Sequence, residues 1–300
     1  MNKEGSKRSE PNKQDWIVDD TCELLGCLLK VLAGKSRNSV KAVLTRGQVS
    51  VNGKVQTKHN YKLTSGDSVR IDWSRQSAKV KMSGIEIIYE DGDLIVIEKE
   101  AGLLSIATDE ERENTAYREL MKYVQQTDPK SRIFIIHRLD RDTSGIMMFA
   151  KSKKIQQLLQ NSWHESVKER TYVALVEGTV GEAGTITSWL KENKQFMVTS
   201  SRTPNGGKKA VTHYKVIKSN KTMSLLQVQL ETGRKNQIRV HMREIGHPIV
   251  GDKKYGSSVN PIGRIGLHAQ ALAFMHPATG EALRFETNVP AAFARGFRSK

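Results

Sequence analysis

FIIHRLDRDTSGIMMFAKS, Phe134 to Ser152, is the stretch on which the reading of this chain turns. Two apolar runs flank nine mostly polar residues, His137 to Gly145. A plain hairpin needs about two to five connecting residues and asks little of them. Gly145 permits a tight backbone path. Asp142, Thr143 and Ser144 have short side chains that hydrogen-bond to nearby backbone, so DTSG reads as turn chemistry. HRLD does not. A guanidinium and a carboxylate two residues apart at the end of a buried strand would be desolvated and need partners. Charged groups held in such a place are often site residues. The plainer reading is an Arg138–Asp140 pair that braces the turn.

Outward from this stretch the texture is regular. IEIIYEDGDLIVIEKEAGLLS, from Ile85, gives a strand, a turn and a second strand. ENTAYRELMKYVQQ and Lys153–Val167 give helices. The segments RTYVALVEG, KKAVTHYKVIK, MSLLQVQLET, IGLHAQALAFMHP and EALRFETNV read as further strands. Many strands and few helices predict a mostly antiparallel α+β domain over residues 85–300.

The first part of the chain differs. Between Glu23 and Asp67 there is no acidic residue, while eight bases occur: Lys30, Lys35, Arg37, Lys41, Arg46, Lys54, Lys58 and Lys62. TCELLGCLLKVLAG has apolar residues at helical spacing and stops at a glycine. SRNSVKAVLTRG gives a second short helix, on which Arg37 and Lys41 share a face. QVSVNGKVQ is a hairpin around Asn52-Gly53. These elements predict a small helix-helix-hairpin domain over residues 16–73, near the lower limit for independent folding. Residues 1–15 read as a polar disordered tail and 74–84 as a linker.

A net charge of +16 and a pI near 9.8 point to an anionic partner, nucleic acid being the commonest. No apolar run approaches the ~18–20 residues of a membrane span. The N-terminus has no secretory h-region. Cys22 and Cys27 fit neither a zinc knuckle nor a redox pair and read as buried small residues. The expected setting is the cytoplasm, and the expected state a monomer. No metal or cofactor is implied: H-E-x-x-H and Cys/His clusters are missing from the sequence, and GDKKYG lacks P-loop spacing. Lys253 and Lys254 within it read as solvated or facing RNA backbone.

HRLDRDTSGIMMFAKS resembles the signature of the RluA-type pseudouridine synthases. KERTYVALVEG, LETGRKNQIRVHMREIGHPIVGDKKYG and LHAQALAFMHPATGE match further segments in family order, so the resemblance spans about residues 85–290. SRNSVKAVLTRGQVSVNGKV with LTSGDSVRI resembles the small RNA-binding domain named after ribosomal small-subunit protein four. It implies that the basic face, with Lys35, Arg37, Lys41, Arg46 and Lys54, lies along structured RNA. The family resemblance implies that Asp140 is the nucleophile and that Arg239 pairs with it. It implies that Tyr172 lies against the target base and transfers a proton. Arg138 would fill the RNA stack when the uridine leaves, and Leu267 would pack on the uracil. His137, Leu139, Thr143, Gln237 and His241 complete the expected substrate contacts; His137 and His241 also read as hydrogen-bonding supports, with His241 taken to follow Arg239 on one strand and able to reach phosphate. One position departs from the pattern: GRKNQ carries Asn236 where the family usually has His, and Asn cannot titrate.

The chemistry is consistent with these residues. Isomerisation breaks the ribose–nitrogen bond and forms a ribose–carbon bond, with no atoms gained or lost. Asp serves elsewhere as a covalent nucleophile on sugar carbons. Flipping the base out of folded RNA costs a few kcal/mol, which a stacked guanidinium and an aromatic floor can offset. Without the resemblance, Tyr172 would read as an ordinary core aromatic. The expected substrate is large-subunit ribosomal RNA of the 23S type, free or in an assembling subunit. The alternatives are a transfer-RNA-directed synthase, a non-catalytic ribosome-assembly or RNA-binding factor, and an RNA glycosidase.

Overall fold

The basic N-terminal window forms the two helices and hairpin that its pattern predicts. The computed structural model describes residues 13–33, 37–45, 47–72 and 82–297. Strands β1 (Lys13–Ile17) and β2 (Cys22–Glu23) precede α1 (Leu24–Val31) and α2 (Arg37–Thr45). The strands β3 (Val49–Val51) and β4 (Lys54–Val55) form the hairpin, followed by β5 (Lys62–Leu63) and β6 (Ser68–Asp72). At the turn, Asn52 and Gly53 take φ of 49° and 77°, as a two-residue hairpin requires. Leu24 and Leu28 of α1 and Val40 and Leu44 of α2 lie one turn apart within their helices and pack on Val49, Val69 and Ile71.

The expected tail is too long. Lys13–Asp15 belong to β1, which pairs antiparallel with β6. Arg70 Nε donates to Asp15 Oδ1 at 2.7 Å. The strand owes its place to that partner rather than to its own weak, polar pattern. Residues 1–12 and 73–81, which include most of the expected linker, lie outside the described residues, as do Lys35 and Arg46.

The chain splits into two compact units, residues 1–81 with 90–94 and residues 82–89 with 95–300. The second contains β7 (Ile85–Glu90), β8 (Leu94–Lys99), α3 (Ala116–Thr127), β9 (Phe134–Ile135), β10 (Ser144–Ala150), α4 (Lys153–Asn161), α5 (Trp163–Ser166) and β11 (Val167–Glu177). Then come β12 (Gly184–Glu192), β13 (Val198–Ser201), β14 (Lys208–Ser219), β15 (Met223–Leu230), α6 (Gln237–Glu244), β16 (Leu267–Met275) and β17 (Ala282–Glu286). Among the described residues its strands form one sheet, ordered β13-β12-β14-β15-β11-β16-β10-β8-β7, with β17 beside β16 and β9 beside β10. From β13 through β12, β14, β15 and β11 to β16 the pairing is antiparallel, and β10 runs parallel to β16 at Ser144↔His268 and Gly145↔Ala269. The mixed, mostly antiparallel α+β architecture is thus as its pattern predicts.

Two differences from the sequence expectation bear on the site. β12 and β13 carry few apolar residues and were not expected as strands. QIRVHMRE alternates polar and apolar residues like a strand, yet it is helix α6. Gln237 to Met242 are all buried, and a helix enclosed on every side needs no 3.6-residue polar face.

Gly145 fixes where β10 meets β16. Its φ is +114°, and a Cβ there would lie 2.1 Å from the Ala269 carbonyl oxygen. Only glycine allows the two backbones to come this close. Two hydrophobic cores flank the junction. One joins α3 to β8 and β10; the other joins α6 to β11 and β15. Tyr172 packs against both.

Candidate active site

The HRLD loop is pinned by its backbone. Lys99, wholly buried, donates through Nζ to the carbonyls of Glu100, Leu103 and Arg141 at 2.9, 2.7 and 3.0 Å. Burial pulls its pKa down to about 8. Ser105 Oγ donates to Leu139 O at 2.7 Å and accepts from Leu139 N at 3.2 Å. Gln156 and Gln160, one turn apart on α4, donate to Ile135 O and Ile136 O at 2.8 and 3.1 Å. His137 Nε2 accepts from Met148 N at 3.2 Å, which places the ring proton on Nδ1. Burial, then the nearby Arg170, holds that ring's pKa down to about 4, so the imidazole is a neutral support. Ser144 departs from the expected turn role: its hydroxyl meets His268 Nδ1 and accepts from Arg264 Nη2, both at 2.7 Å.

With its backbone held, the loop projects Asp140 toward α6. Arg239 Nη1 donates to Asp140 Oδ2 at 3.2 Å, and Asn236 Nδ2 donates to the same oxygen at 2.6 Å. Among the described residues nothing bonds to Oδ1. The guanidinium is itself fixed, giving Nε and Nη2 to Asp252 at 2.6 and 2.9 Å and lying 4.9 Å from the Tyr255 ring centre. Burial alone would lower the Arg239 pKa; Asp252, then Asp140, push it up instead. Tyr255 donates to Asn236 Oδ1 at 3.1 Å and accepts from Val198 N at 3.2 Å. Asn236 stands at φ 53°, a left-handed position that Asn tolerates better than most residues.

Asp140 pairs with Arg239, not with Arg138, so the turn-bracing reading is set aside. Arg138 is exposed, and its guanidinium has no hydrogen bond or ion pair among the described residues. Both residues line a cavity of about 380 Å³, within the range of about 300–1,000 Å³ for small-molecule sites. His137, Leu139, Thr143, Tyr172, Gln237, Arg239 and Leu267 line it as well. Burial, then Asp140, pushes the Tyr172 phenol up, with Arg170 opposing. Its hydroxyl has no partner among the described residues and is available to a ligand.

His241 is not brought to this cavity. It is fully buried on α6, with Nε2 meeting Ser188 Oγ at 3.0 Å and Nδ1 meeting Thr212 Oγ1 at 2.8 Å. Both nitrogens are committed to the sheet behind, and burial holds its pKa down to about 4. The expected substrate contact is corrected accordingly: helical geometry turns residue 241 about 200° from residue 239. Gln237 reaches the cavity but is also structural, donating to Val211 O and Thr212 Oγ1 at 3.0 and 2.9 Å. In the N-terminal unit Arg37 and Lys54 are exposed and Lys41 is half-buried.

Sequence reasoning missed Asp252 and Tyr255. They lie in GDKKYG, whose visible signal was its glycines and lysines. It also missed Trp163 and Arg170, which line the cavity.

Residues 93–244, just over half of the chain, match the family described as RNA pseudouridylate synthase. The chain belongs to this family. It is an RNA pseudouridine synthase, an isomerase that converts uridine to pseudouridine in RNA. Residues 25–81 match the S4 domain family. The synthase is 34% identical over 249 residues to the uncharacterized RNA pseudouridine synthase YjbO of Bacillus subtilis, covering 81% of this chain and 87% of that one. It is 33% identical over 272 residues to ribosomal large subunit pseudouridine synthase D of Vibrio cholerae, covering 85% and 84%. Among solved structures, human RNA pseudouridylate synthase domain containing 4 superposes with a TM-score of 0.59 at 23% identity, covering 70% of this chain and 91% of that one. That likeness speaks for the fold. Among the described residues no helix is long and apolar enough to cross a membrane.

Proposed function

We propose that the synthase isomerises uridine in large-subunit ribosomal RNA, with Asp140 as its nucleophile. The observation that carries the catalytic part is the division of labour on one carboxylate. Arg239 and Asn236 hold Oδ2, Oδ1 has no hydrogen-bond partner among the described residues, and Asp140 lines the cavity that Tyr172 and Leu267 also line. A charged donor and an oriented amide on one oxygen pre-position the other for reaction.

The flipped uracil packs between Leu267 and the ring of Tyr172, whose stacking contributes about 1–3 kcal/mol. Asp140 Oδ1 acts on the target nucleoside while the N1–C1′ bond opens. The uracil turns within the cavity, the C5–C1′ bond forms, and a proton passes from C5 to N1. The reaction balances without a co-reactant. Tyr172, its phenol kept protonated by burial, is the hydrogen-bonding and proton-relay group beside the base. Arg138, exposed and unpaired, stacks where the uridine was.

The ribosomal substrate rests on the S4 domain match and on relatives named for the large ribosomal subunit. Arg37 and Lys54, with Lys41 on the same helix face as Arg37, present the basic surface of that domain to RNA phosphates. The test is a carbodiimide-based pseudouridine map of ribosomal and transfer RNA from cells with the intact protein, without it, and with Asp140→Ala. Large-subunit sites lost in the last two and restored by the intact protein are expected. Sites lost in transfer RNA alone would redirect the substrate, and an unchanged map would leave an RNA-binding factor.

A further inference from the structure

The turn between β12 and β13 carries an exposed aromatic ring. Phe196 leaves 70% of its surface open and takes φ +56°, a backbone region that bulky residues rarely adopt. The turn around it is well bonded: Asn193 Oδ1 accepts from Gln195 N and Met197 N at 3.0 and 2.9 Å, and Phe196 N donates to Asn193 O at 3.0 Å. Neither burial nor backbone preference accounts for a phenylalanine there.

Its surroundings are cationic. Lys235 Nζ lies 5.6 Å from the ring centre, and Lys254 Nζ donates to the Phe196 carbonyl at 2.9 Å. Lys194 sits on the turn itself. Glu192 pairs with Lys235, which leaves Lys194 and Lys254 as the lysines of this turn with no acidic partner among the described residues. The root of the hairpin touches the site, since Val198 N bonds to Tyr255, Tyr255 to Asn236, and Asn236 to Asp140.

We infer that Phe196 is a stacking platform for an unpaired base of the RNA strand that carries the target uridine, with Lys194 and Lys254 meeting the flanking phosphates. The inference rests on the RNA reading above. A single ring among lysines fits a base face and its anionic backbone. A protein partner would call for a contiguous apolar patch, whereas the neighbours here are Lys194, Gln195 and Asn193.

The test uses the full chain. Phe196→Asn removes the ring and suits the left-handed backbone, so folding is retained; Phe196→Tyr keeps a stacking surface. Binding is read by anisotropy with a fluorescein-labelled oligouridylate of about 12 nucleotides. Photocrosslinking of the same oligomer carrying 5-iodouridine is mapped by mass spectrometry. The expected result is a crosslink at Phe196 and about 5- to 150-fold weaker binding by Phe196→Asn, with Phe196→Tyr close to wild type. Equal affinity of Phe196→Asn and wild type, or crosslinks confined to other residues, would overturn the assignment. So would a concentration-dependent mass that Phe196→Asn abolishes without loss of RNA affinity, which would give the ring to a second copy. The readout is binding, so it stands apart from whether wild type modifies ribosomal RNA.

Discussion

Asp252 takes Nε and Nη2 of Arg239, at 2.6 and 2.9 Å, and so leaves Nη1 for Asp140, at 3.2 Å. The buried carboxylate, 1% exposed in its side chain, aims the guanidinium without reaching the cavity. Breaking a buried ion pair costs roughly 3–5 kcal/mol. Asp252→Ala is expected to lower unfolding stability by that order in urea titration and to reduce kcat more than it raises KM. A variant that loses stability but keeps kcat in its folded fraction would show that Arg239 needs no such aiming.

Asn236 gives a second prediction. Its bond to the Asp140 carboxylate is charge-assisted, a class worth about 1.5–3 kcal/mol. Asn236→Gly keeps the positive φ without strain and removes only the amide. It is expected to reduce single-turnover pseudouridine formation about 10- to 150-fold, and to lower stability by about 1–3 kcal/mol because the Tyr255 hydroxyl loses its acceptor. Asn236→Ala should add a loss of stability, because alanine resists this backbone region. Equal rates for Asn236→Gly and wild type would leave Arg239 as the only group that matters on that oxygen.

Arg138→Ala should separate docking from flipping. The side chain is exposed and has no partner among the described residues, so its removal leaves the fold and the initial encounter unchanged. With 2-aminopurine beside the target uridine, RNA affinity is expected to stay within about two-fold, while the fluorescence rise on flipping is lost, a step costing a few kcal/mol. Parallel loss of both signals would assign Arg138 to docking.

The buried histidines predict an acid limit to stability. His137, His241 and His268 are all held down to about 4 by burial, against 6.5 for the exposed ring. Below pH 6.5 the unfolded chain takes up protons that the fold refuses, so the histidines remove stability as pH drops from 6.5 toward about 4, and their contribution levels off below. Urea midpoints measured between pH 7 and 4 should follow this course. His241→Gln should flatten the slope, since Gln can still bond to Ser188 and Thr212 but does not titrate. An unchanged slope would remove His241 from the account.

What was legible in the sequence follows from where the information lies. Asn52-Gly53, the apolar spacing of α1 and α2 and the apolar runs of β11 and β16 are local patterns, and each forms as its residues dictate. HRLD was legible for another reason: turn chemistry explains DTSG and leaves Arg138 and Asp140 unexplained. Lys99 and Ser105 were illegible because Arg141 and Leu139, which they hold, lie well along the chain, and Asp252 and Tyr255 because only the fold turns them to their partners. Arg239 and Asp252 are close in sequence, but only the turn after α6 brings them face to face. Helix α6 misled because complete burial erased its polar face. His241 was misplaced with it, since strand and helix send residues two apart in different directions.

Strand β16 is the last large piece of the sheet in chain order, yet it lies between β11 and β10. Until residues 267–275 have been synthesised and inserted, those two strands, one of them buried along its entire length, present open backbone edges. Such edges invite pairing with other chains. A growing polypeptide, extended at about 5–20 residues per second, passes through a stage in which Asp140 and Arg239 exist but Leu267 does not, and no pocket can close. Modification therefore waits on residues 267–275, and a product cut short before them carries open edges of the kind that invite aggregation.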